Sequence, residues 1–337
     1  MVLRAWEKVL DGEGAVNRYT AIDVGGTDIK YALISGDCRI LEKDRIPTEG
    51  WLGGPQILDK VLHIVGQYRS RCMGVAISVS GMVDVDSGSV FYAGPTIPNF
   101  IGTPFKKAVE EKYHLPCEAE NDVNCAGLAE AVLGSARGSS SVLCLTVGTG
   151  IGGCFVLNNE VYHGFSGSAC EVGYMNLGGP DNFQEMGAAS VLSEKVARGK
   201  ILEKRWGKVP DSGETDAISE EELREAAGYW NGLRIFEAAG QGDEMCIRAI
   251  DEMCDVLGRG TADICYVLNP ETVVMGGGIM AQKEYLYPRL RAALDRYLIP
   301  AVSQHTALKL AQLGNDAGLV GAVLHYRQMR KKRGKIV

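Results

Sequence analysis

The sequence predicts an α/β protein of two lobes with a duplicated phosphate-binding β-hairpin. Two segments, "YTAIDVGGTDIKYALIS" (19–35) and "LTVGTGIGGCFVL" (145–157), each set a Gly/Thr turn between two apolar, strand-like runs. Strand-like and helix-like segments alternate between them. The length, 337 residues, is too great for one ordinary domain and suits two lobes that each bury a core.

In chain order, the first hairpin turns at Gly25-Gly26-Thr27 and the chain turns again near Gly36-Asp37. A helix-like segment from about Pro55 to Arg69 precedes the apolar strand "MGVAISVSG" (73–81). "TPFKKAVEEKYHL" reads as a helix with proline at its start, "PCEAEN" as a short strand, and "DVNCAGLAEAVLG" as a helix closed by Gly134. The second hairpin then runs into an Asn158-Asn159 turn. From Glu185 onward the chain is mostly helical, with residues 207–222 as a polar surface connection. Later segments predict a helix over 242–266, a strand over 271–275, a helix over 283–298, a strand over 306–312 and a last helix over 316–331.

Gly148, Gly150 and Gly153 also satisfy the dinucleotide fingerprint G-x-G-x-x-G. That motif needs a helix after the glycines, because the helix N-terminus receives the pyrophosphate. Cys154, Phe155, Val156 and Leu157 read instead as a strand. The glycines therefore join two strands of a hairpin, where glycine can take positive φ and admits close approach of a ligand, and successive amides can form an anion-binding nest. A third cluster, "VVMGGGIM" (273–280), follows a strand and precedes a helix, a setting in which a nucleotide's adenosine can lie against the backbone.

Bulk properties narrow the partners. The net charge of −7 and pI of about 5.4 make no electrostatic case for nucleic acid or an anionic membrane. The exception is the basic tail "RQMRKKRGK", which reads as a solvated, partly frayed helix end. Ten cysteines contain no C-x-x-C pair and several sit in apolar runs, as in a reduced, cytoplasmic protein. The start "MVLRAWEKVLDGEG" has no signal-peptide pattern. The uncharged stretch 138–159 is a hairpin, which cannot satisfy its backbone in lipid, so a soluble protein is expected.

Asp122 is the best catalytic candidate, placed where a strand gives way to a helix. Aspartate at a helix start is also a frequent N-cap, and taken alone the cap is the commoner reading.

"DVGGTDIKYAL", "SVSGMVDVDSG", "GPTIPNF", "ENDVNCAGLAE", "GTGIGG", "HGFSGSACEVGYM" and "VVMGGGI" occur in the order found in the ROK family of sugar kinases and sugar-responsive repressors. The chain resembles that family from Thr20 to about Arg330. The resemblance implies the two-lobed actin-like ATPase fold (hexokinase and RNase H-like). Residues 18–120 with about 315–331 would form a small lobe, and 121–314 a large lobe with the nucleotide site in the cleft. It implies ATP and Mg²⁺ as cofactors and a homodimer, with a sugar as the partner. Asp122 would be the general base for the sugar hydroxyl that attacks ATP. Gly81, Asn99, Asn121, Glu171 and Glu185 would contact sugar. Gly25, Gly26, Thr27 and Lys30 would hold phosphate, as would Gly148, Thr149 and Gly150. Asp23 would orient Mg²⁺ through water, which that ion sheds reluctantly. Gly277 and Gly278 would lie against adenosine.

The departures are specific. Tyr174 stands where the family commonly has histidine, offering either a sugar-facing hydroxyl or a packing aromatic. Residues 175–190 contain no Cys or His, so the family's zinc loop cannot form and no zinc site is expected. Cys154 replaces a common third glycine. Two functions follow from the resemblance: an ATP-dependent kinase of a hexose or hexose derivative, or a non-catalytic sugar-sensing protein lacking the DNA-binding segment. Only about twenty residues precede the first hairpin and Asp122 is intact, so the kinase is expected. Asn99, Asn121 and Glu171 argue against a chaperone-type ATPase of the same superfamily.

Overall fold

The computed structural model describes residues 17–207 and 218–334. Strands β1 (Arg18–Val24), β2 (Asp28–Ser35), β3 (Ile40–Pro47), β4 (Gly74–Val79) and β7 (Cys117–Asn121) form one sheet in the order β3-β2-β1-β4-β7. A small hairpin of β5 (Met82–Asp84) and β6 (Ser89–Tyr92) stands apart. The second sheet contains β8 (Ser141–Val147), β9 (Ile151–Leu157), β10 (Glu160–Val161), β11 (Thr272–Gly276) and β12 (Ala307–Leu310), in the order β10-β9-β8-β11-β12. Read by position, both orders are third, second, first, fourth, fifth. The repeat seen in two glycine turns is thus a repeat of whole sheets.

In the first sheet β1 pairs antiparallel with β2 and parallel with β4, which pairs parallel with β7. β1 and β4 are buried almost throughout, which suits unbroken apolar strands covered on both faces. Helix α1 (Gly54–Tyr68) supplies Ile57, Val61, Ile64 and Val65 to a core with Val75 and Ile77. That spacing is one helical face, and Pro55 in the first turn is preset for helix. Helix α2 (Phe105–Tyr113) adds Phe105 and Val109 to the same core. The long helix α11 (Ala317–Lys332) also packs on β1, β4 and β7.

The chain forms two compact units: residues up to 144 with 154–170 and 312 onward, and residues 145–153 with 171–311. The boundary expected at 120/121 falls inside the first of these. Helix α3 (Asp122–Val132) stays with that unit because it packs on α11, so closely that a Cβ on Gly321 would lie 1.8 Å from the Cys125 carbonyl oxygen. The second unit holds helices α4 (Phe183–Gly187), α5 (Ala189–Trp206), α6 (Glu220–Tyr229), α7 (Gly232–Gly240), α8 (Glu244–Leu268), α9 (Lys283–Tyr297) and the short α10 (Pro300–Ser303).

Both hairpins form as the pattern requires, and β9 confirms that a strand follows Gly153. Asn158 and Asn159 both adopt left-handed backbone (φ 53° and 63°), the geometry of a tight hairpin turn that asparagine tolerates. Four expectations are corrected. Gly134 does not close α3 by a left-handed cap; the helix ends at Val132, and Gly134 is needed because a Cβ there would press on the Glu130 carboxylate. The polar connection is shorter than 207–222, since Ser219 caps α6 by accepting from the Glu222 amide; 208–217 lie outside the described residues. The strand over 306–312 shortens to Ala307–Leu310. The basic tail is not frayed through Gly334: Gln328 and Met329 are buried and Arg333 forks onto Glu118 at 2.7 and 2.9 Å. All ten cysteines are free and most are buried, and among the described residues no helix is long and apolar enough to cross a membrane.

Candidate active site

In the first unit the C-terminal ends of β1, β4 and β7 lie side by side, pairing Asp23 with Ser78 and Val79 with Asn121. Ligand sites in open α/β sheets gather at such ends. Asp23 is buried; one carboxylate oxygen accepts from the Ser78 hydroxyl at 2.7 Å, and the other meets Lys30 Nζ at 3.5 Å. Gly318, in the first turn of α11, makes room for it: a Cβ there would lie 2.7 Å from Asp23 Oδ1.

Asp122 is the first residue of α3, but it is not the cap. Asn121 is the N-cap, its Oδ1 accepting from the Val123 and Asn124 amides at 2.9 and 3.0 Å. Asn121 Nδ2 donates to the Gly81 carbonyl at 2.9 Å and to Asp122 Oδ1 at 3.0 Å. Asp122 Oδ2 accepts from the Ser80 hydroxyl at 3.0 Å. Burial first, and then the charge of Asp23, push the Asp122 carboxyl up to about 6, against the hydrogen bonds from Ser80 and the Val123 amide. The capping need is met next door, leaving a half-buried carboxylate tuned toward neutrality.

Gly81 has φ 109° and a Cβ there would lie 2.9 Å from the Tyr92 carbonyl oxygen, so only glycine fits. Asn99 is exposed in a left-handed conformation (φ 52°), beside Gly54; none of the hydrogen bonds found among the described residues ties it to Asn121 or Asp122. The first turn is pinned from β3's end, where the Thr48 hydroxyl donates to the Gly25 carbonyl at 2.7 Å and its amide to the Thr27 carbonyl at 2.8 Å.

In the second unit, the Gly148 amide donates to the Gly150 carbonyl at 2.9 Å, closing the turn. The start of α5 sits on this turn: the Ala189 amide donates to the Gly148 carbonyl at 2.9 Å, and the Ser190 hydroxyl to the Thr149 carbonyl at 2.7 Å. The turn thus lies at the positive end of an 18-residue helix. None of Gly25, Gly26, Gly148 and Gly150 has positive φ, one of the two properties expected of glycine there. Gly26 and Gly148 leave a bare face, where a Cβ would meet nothing within 4 Å; on Gly25 it would lie 3.1 Å from the Asp28 carbonyl oxygen and on Gly150 2.6 Å from Gln184 Oε1. The amides of Gly25 and Gly148 are spent inside their turns, so any nest draws on the residues that follow.

Gly277 does need positive φ (102°), and a Cβ on it would lie 2.1 Å from the Val147 carbonyl oxygen. Gly278 beside it faces open space. Glu171 and Tyr174 are exposed at the ends of a short 3₁₀ turn. Glu185 is exposed and engaged in a capping box with Asn182, accepting from its amide at 2.9 Å. A cavity of about 780 Å³ in this unit is lined by Glu185, Leu192, Lys195, Cys254 and Arg289, but by none of the glycine turns. Cys154, of the first unit, packs where a Cβ on Gly127 would stand, 2.6 Å from its Sγ, which explains how a larger residue replaces glycine there.

Ser78, Ser80, Thr48 and Gly318 were not singled out from the sequence. The signal for the serines lay in "ISVSG", where residues two apart in a strand share a face.

Two five-stranded sheets of identical order, with an aspartate and glycine turn at the first hairpin, define the class as the actin-like ATPase fold. The chain belongs to the ROK family, which it matches over residues 19–329. It is 38% identical to an uncharacterized protein of Clostridium perfringens, over 92% of this chain and 98% of that one. It is 31% identical to the beta-glucoside kinase of Klebsiella pneumoniae, over 93% and 97%. The ROK family glucokinase of Streptomyces griseus, solved with glucose and AMPPNP, superposes with a TM-score of 0.72 at 27% identity, over 93% of this chain and all of that one.

Proposed function

We propose that this protein is an ATP-dependent sugar kinase that transfers the γ-phosphate of MgATP to a hydroxyl of a hexose or hexose derivative, with Asp122 as general base. The observation that carries the reading is the setting of Asp122, relieved of capping and held by Ser80 with its carboxyl near 6. At pH 7 the carboxylate is ionised yet basic enough to take a proton as the hydroxyl oxygen bonds to phosphorus and the bond to ADP breaks. The names of the relatives, a glucokinase and a beta-glucoside kinase, support the substrate class.

Asn121, Gly81, Asn99, Glu171 and Glu185 are proposed to contact the sugar. The first hairpin (Gly25, Gly26, Thr27, Lys30) and the second (Gly148, Thr149, Gly150) are proposed to hold phosphate, with the α5 N-terminus adding positive potential. Gly277 and Gly278 back the adenosine. Asp23 fits a water-mediated Mg²⁺ role, because only one of its oxygens is firmly bonded, to Ser78. The ion would supply charge neutralisation on the phosphates. Asp23 itself orients the ion's water.

The deciding experiment is ADP release measured against a panel of glucose, N-acetylmannosamine, N-acetylglucosamine, fructose, allose and β-glucosides. Sugar-dependent turnover is expected. Sugar binding by calorimetry with no turnover on any of them would favour the non-catalytic sensor.

Two further results are expected. Because the Asp122 pKa is raised, its basic form is lost as pH falls through about 6, so kcat/KM should drop tenfold per unit below that value. A flat profile from pH 7.5 to 5 in folded enzyme would remove Asp122 as the base. Thr149→Val deletes a hydroxyl at nearly constant volume and should weaken MgATP by roughly 0.5–1.5 kcal/mol, several-fold in Kd. Unchanged affinity in titration calorimetry would take the Thr149 hydroxyl out of the phosphate site.

A further inference from the structure

β7 carries two buried acids, Glu118 and Glu120, each 1% exposed and on the same face of the strand. Their surroundings differ. Glu118 meets two cations, Lys106 at 2.8 Å and Arg333 at 2.7 Å. Glu120 meets neither Lys nor Arg among the described residues. Its Oε1 accepts from the Asn121 amide at 2.8 Å and Asn124 Nδ2 at 3.0 Å. Its Oε2 faces two imidazoles, His163 Nε2 at 2.6 Å and His325 Nδ1 at 3.2 Å. His325, on α11, is 2% exposed, and its Nε2 has no hydrogen-bond partner.

We propose that Glu120, His163 and His325 form a binding site for a divalent transition cation of the zinc class. One carboxylate oxygen and one nitrogen from each ring lie within 4.8 Å of one another. Ligand atoms about 2.0–2.1 Å from a tetrahedral ion stand roughly 3.3 Å apart. The His325 separation already matches that spacing. His163, a quarter exposed, has room to open from 2.6 Å. Imidazole and carboxylate suit zinc, nickel or cobalt better than magnesium. Burial holds His325 neutral, the ligating form, with its pKa lowered to about 4. Three protein ligands leave a fourth position for water on the His163 side. All three residues lie in the first unit, so the ion would tie β7, the segment after β10 and α11 together, immediately before Asn121 and Asp122.

This site is separate from the zinc loop expected to be missing from 175–190, and it runs against the expectation of a chain with no zinc site. It does not depend on the kinase reading. The test is zinc titration of the chelator-treated full chain by calorimetry, with Co²⁺ absorption reporting the ligand field. One equivalent should bind, and zinc should raise the melting temperature. Losing a mere outer-shell partner of a metal costs about 10–100-fold, so His163→Gln and His325→Gln should each weaken binding at least about a hundredfold. His63→Gln, at a surface site, should leave it unchanged. If His325→Gln fails to fold, His163→Gln decides alone. Absence of binding, or binding that survives His163→Gln in folded protein, overturns the proposal.

Discussion

Asp122→Asn is expected to lower turnover by at least about a hundredfold while the protein stays folded and still binds sugar. A positioned general base contributes typically 10²- to 10⁴-fold, roughly 3 to 5 kcal/mol of barrier. Asparagine retains the shape, keeps one oxygen for the Asn121 and Val123 N–H groups, and turns its Nδ2 to the Ser80 hydroxyl, which then accepts; it removes the proton acceptor. The helix does not depend on this residue for its cap, because Asn121 supplies it. Folding raises the Asp122 pKa, so the folded state is penalised for its charge above about pH 6 and gains stability as pH falls through that value. Removing the charge at pH 7 to 8 should therefore leave the melting temperature unchanged within a few degrees or slightly raised. A folded Asp122→Asn enzyme phosphorylating sugar at near wild-type rate would falsify the assignment, and a mutant that unfolds would show that the carboxylate is structural.

Gly277→Ala should be the most destabilising single methyl in the second unit. At φ 102° and ψ 161° the backbone is in a region nearly restricted to glycine, costing about 1–3 kcal/mol for alanine. The new Cβ would also stand 2.1 Å from a backbone carbonyl of β8, which cannot swing aside as a side chain does. Overpacking adds about 1–3 kcal/mol. Together these predict a loss of several kcal/mol and a melting temperature lower by roughly 10 °C. Gly278→Ala is the partner experiment, since its Cβ meets nothing within 4 Å. That variant should melt like the wild type and yet bind ATP more weakly, because the open space is where adenosine is proposed to rest. Equal stability of the two variants would mean that the Gly277 geometry is not required. Unchanged ATP affinity in Gly278→Ala would move the adenosine elsewhere.

Local pattern carried much of this molecule. Apolar runs flanking "GGT" and "GTG" named both hairpins, and the absence of helix periodicity after Gly153 excluded the dinucleotide motif. The residue Asp122 was visible as a carboxylate at a strand-to-helix junction. Whether it capped the helix was not visible, because Asp122 and its neighbour Asn121 are equally good caps and the choice depends on which backbone conformation each adopts. The glycine turns show the same limit: their identity was legible, but which property of glycine each position uses was not. Positive φ and close approach of a ligand were both expected; none of the four has positive φ, and Gly26 and Gly148 present an open face.

The amino-acid sequence by itself determined the α/β class, the duplicated hairpins, the order of elements and the residues matching the ROK pattern, since these rest on periodicity, turn chemistry and motif spacing along the chain. Tertiary structure alone decided what surrounds them. Ser78 and Ser80 became partners of Asp23 and Asp122 only when β4 lay between β1 and β7. Arg333 changed from a solvated tail residue to the counter-ion of a buried glutamate 215 positions away. Glu120, His163 and His325 came together from three distant segments. The physical reason is that a charge's environment in a folded protein is set by what packs against it. That is fixed by the burial of apolar faces such as those of β7 and α11, and neighbours in sequence carry no record of it.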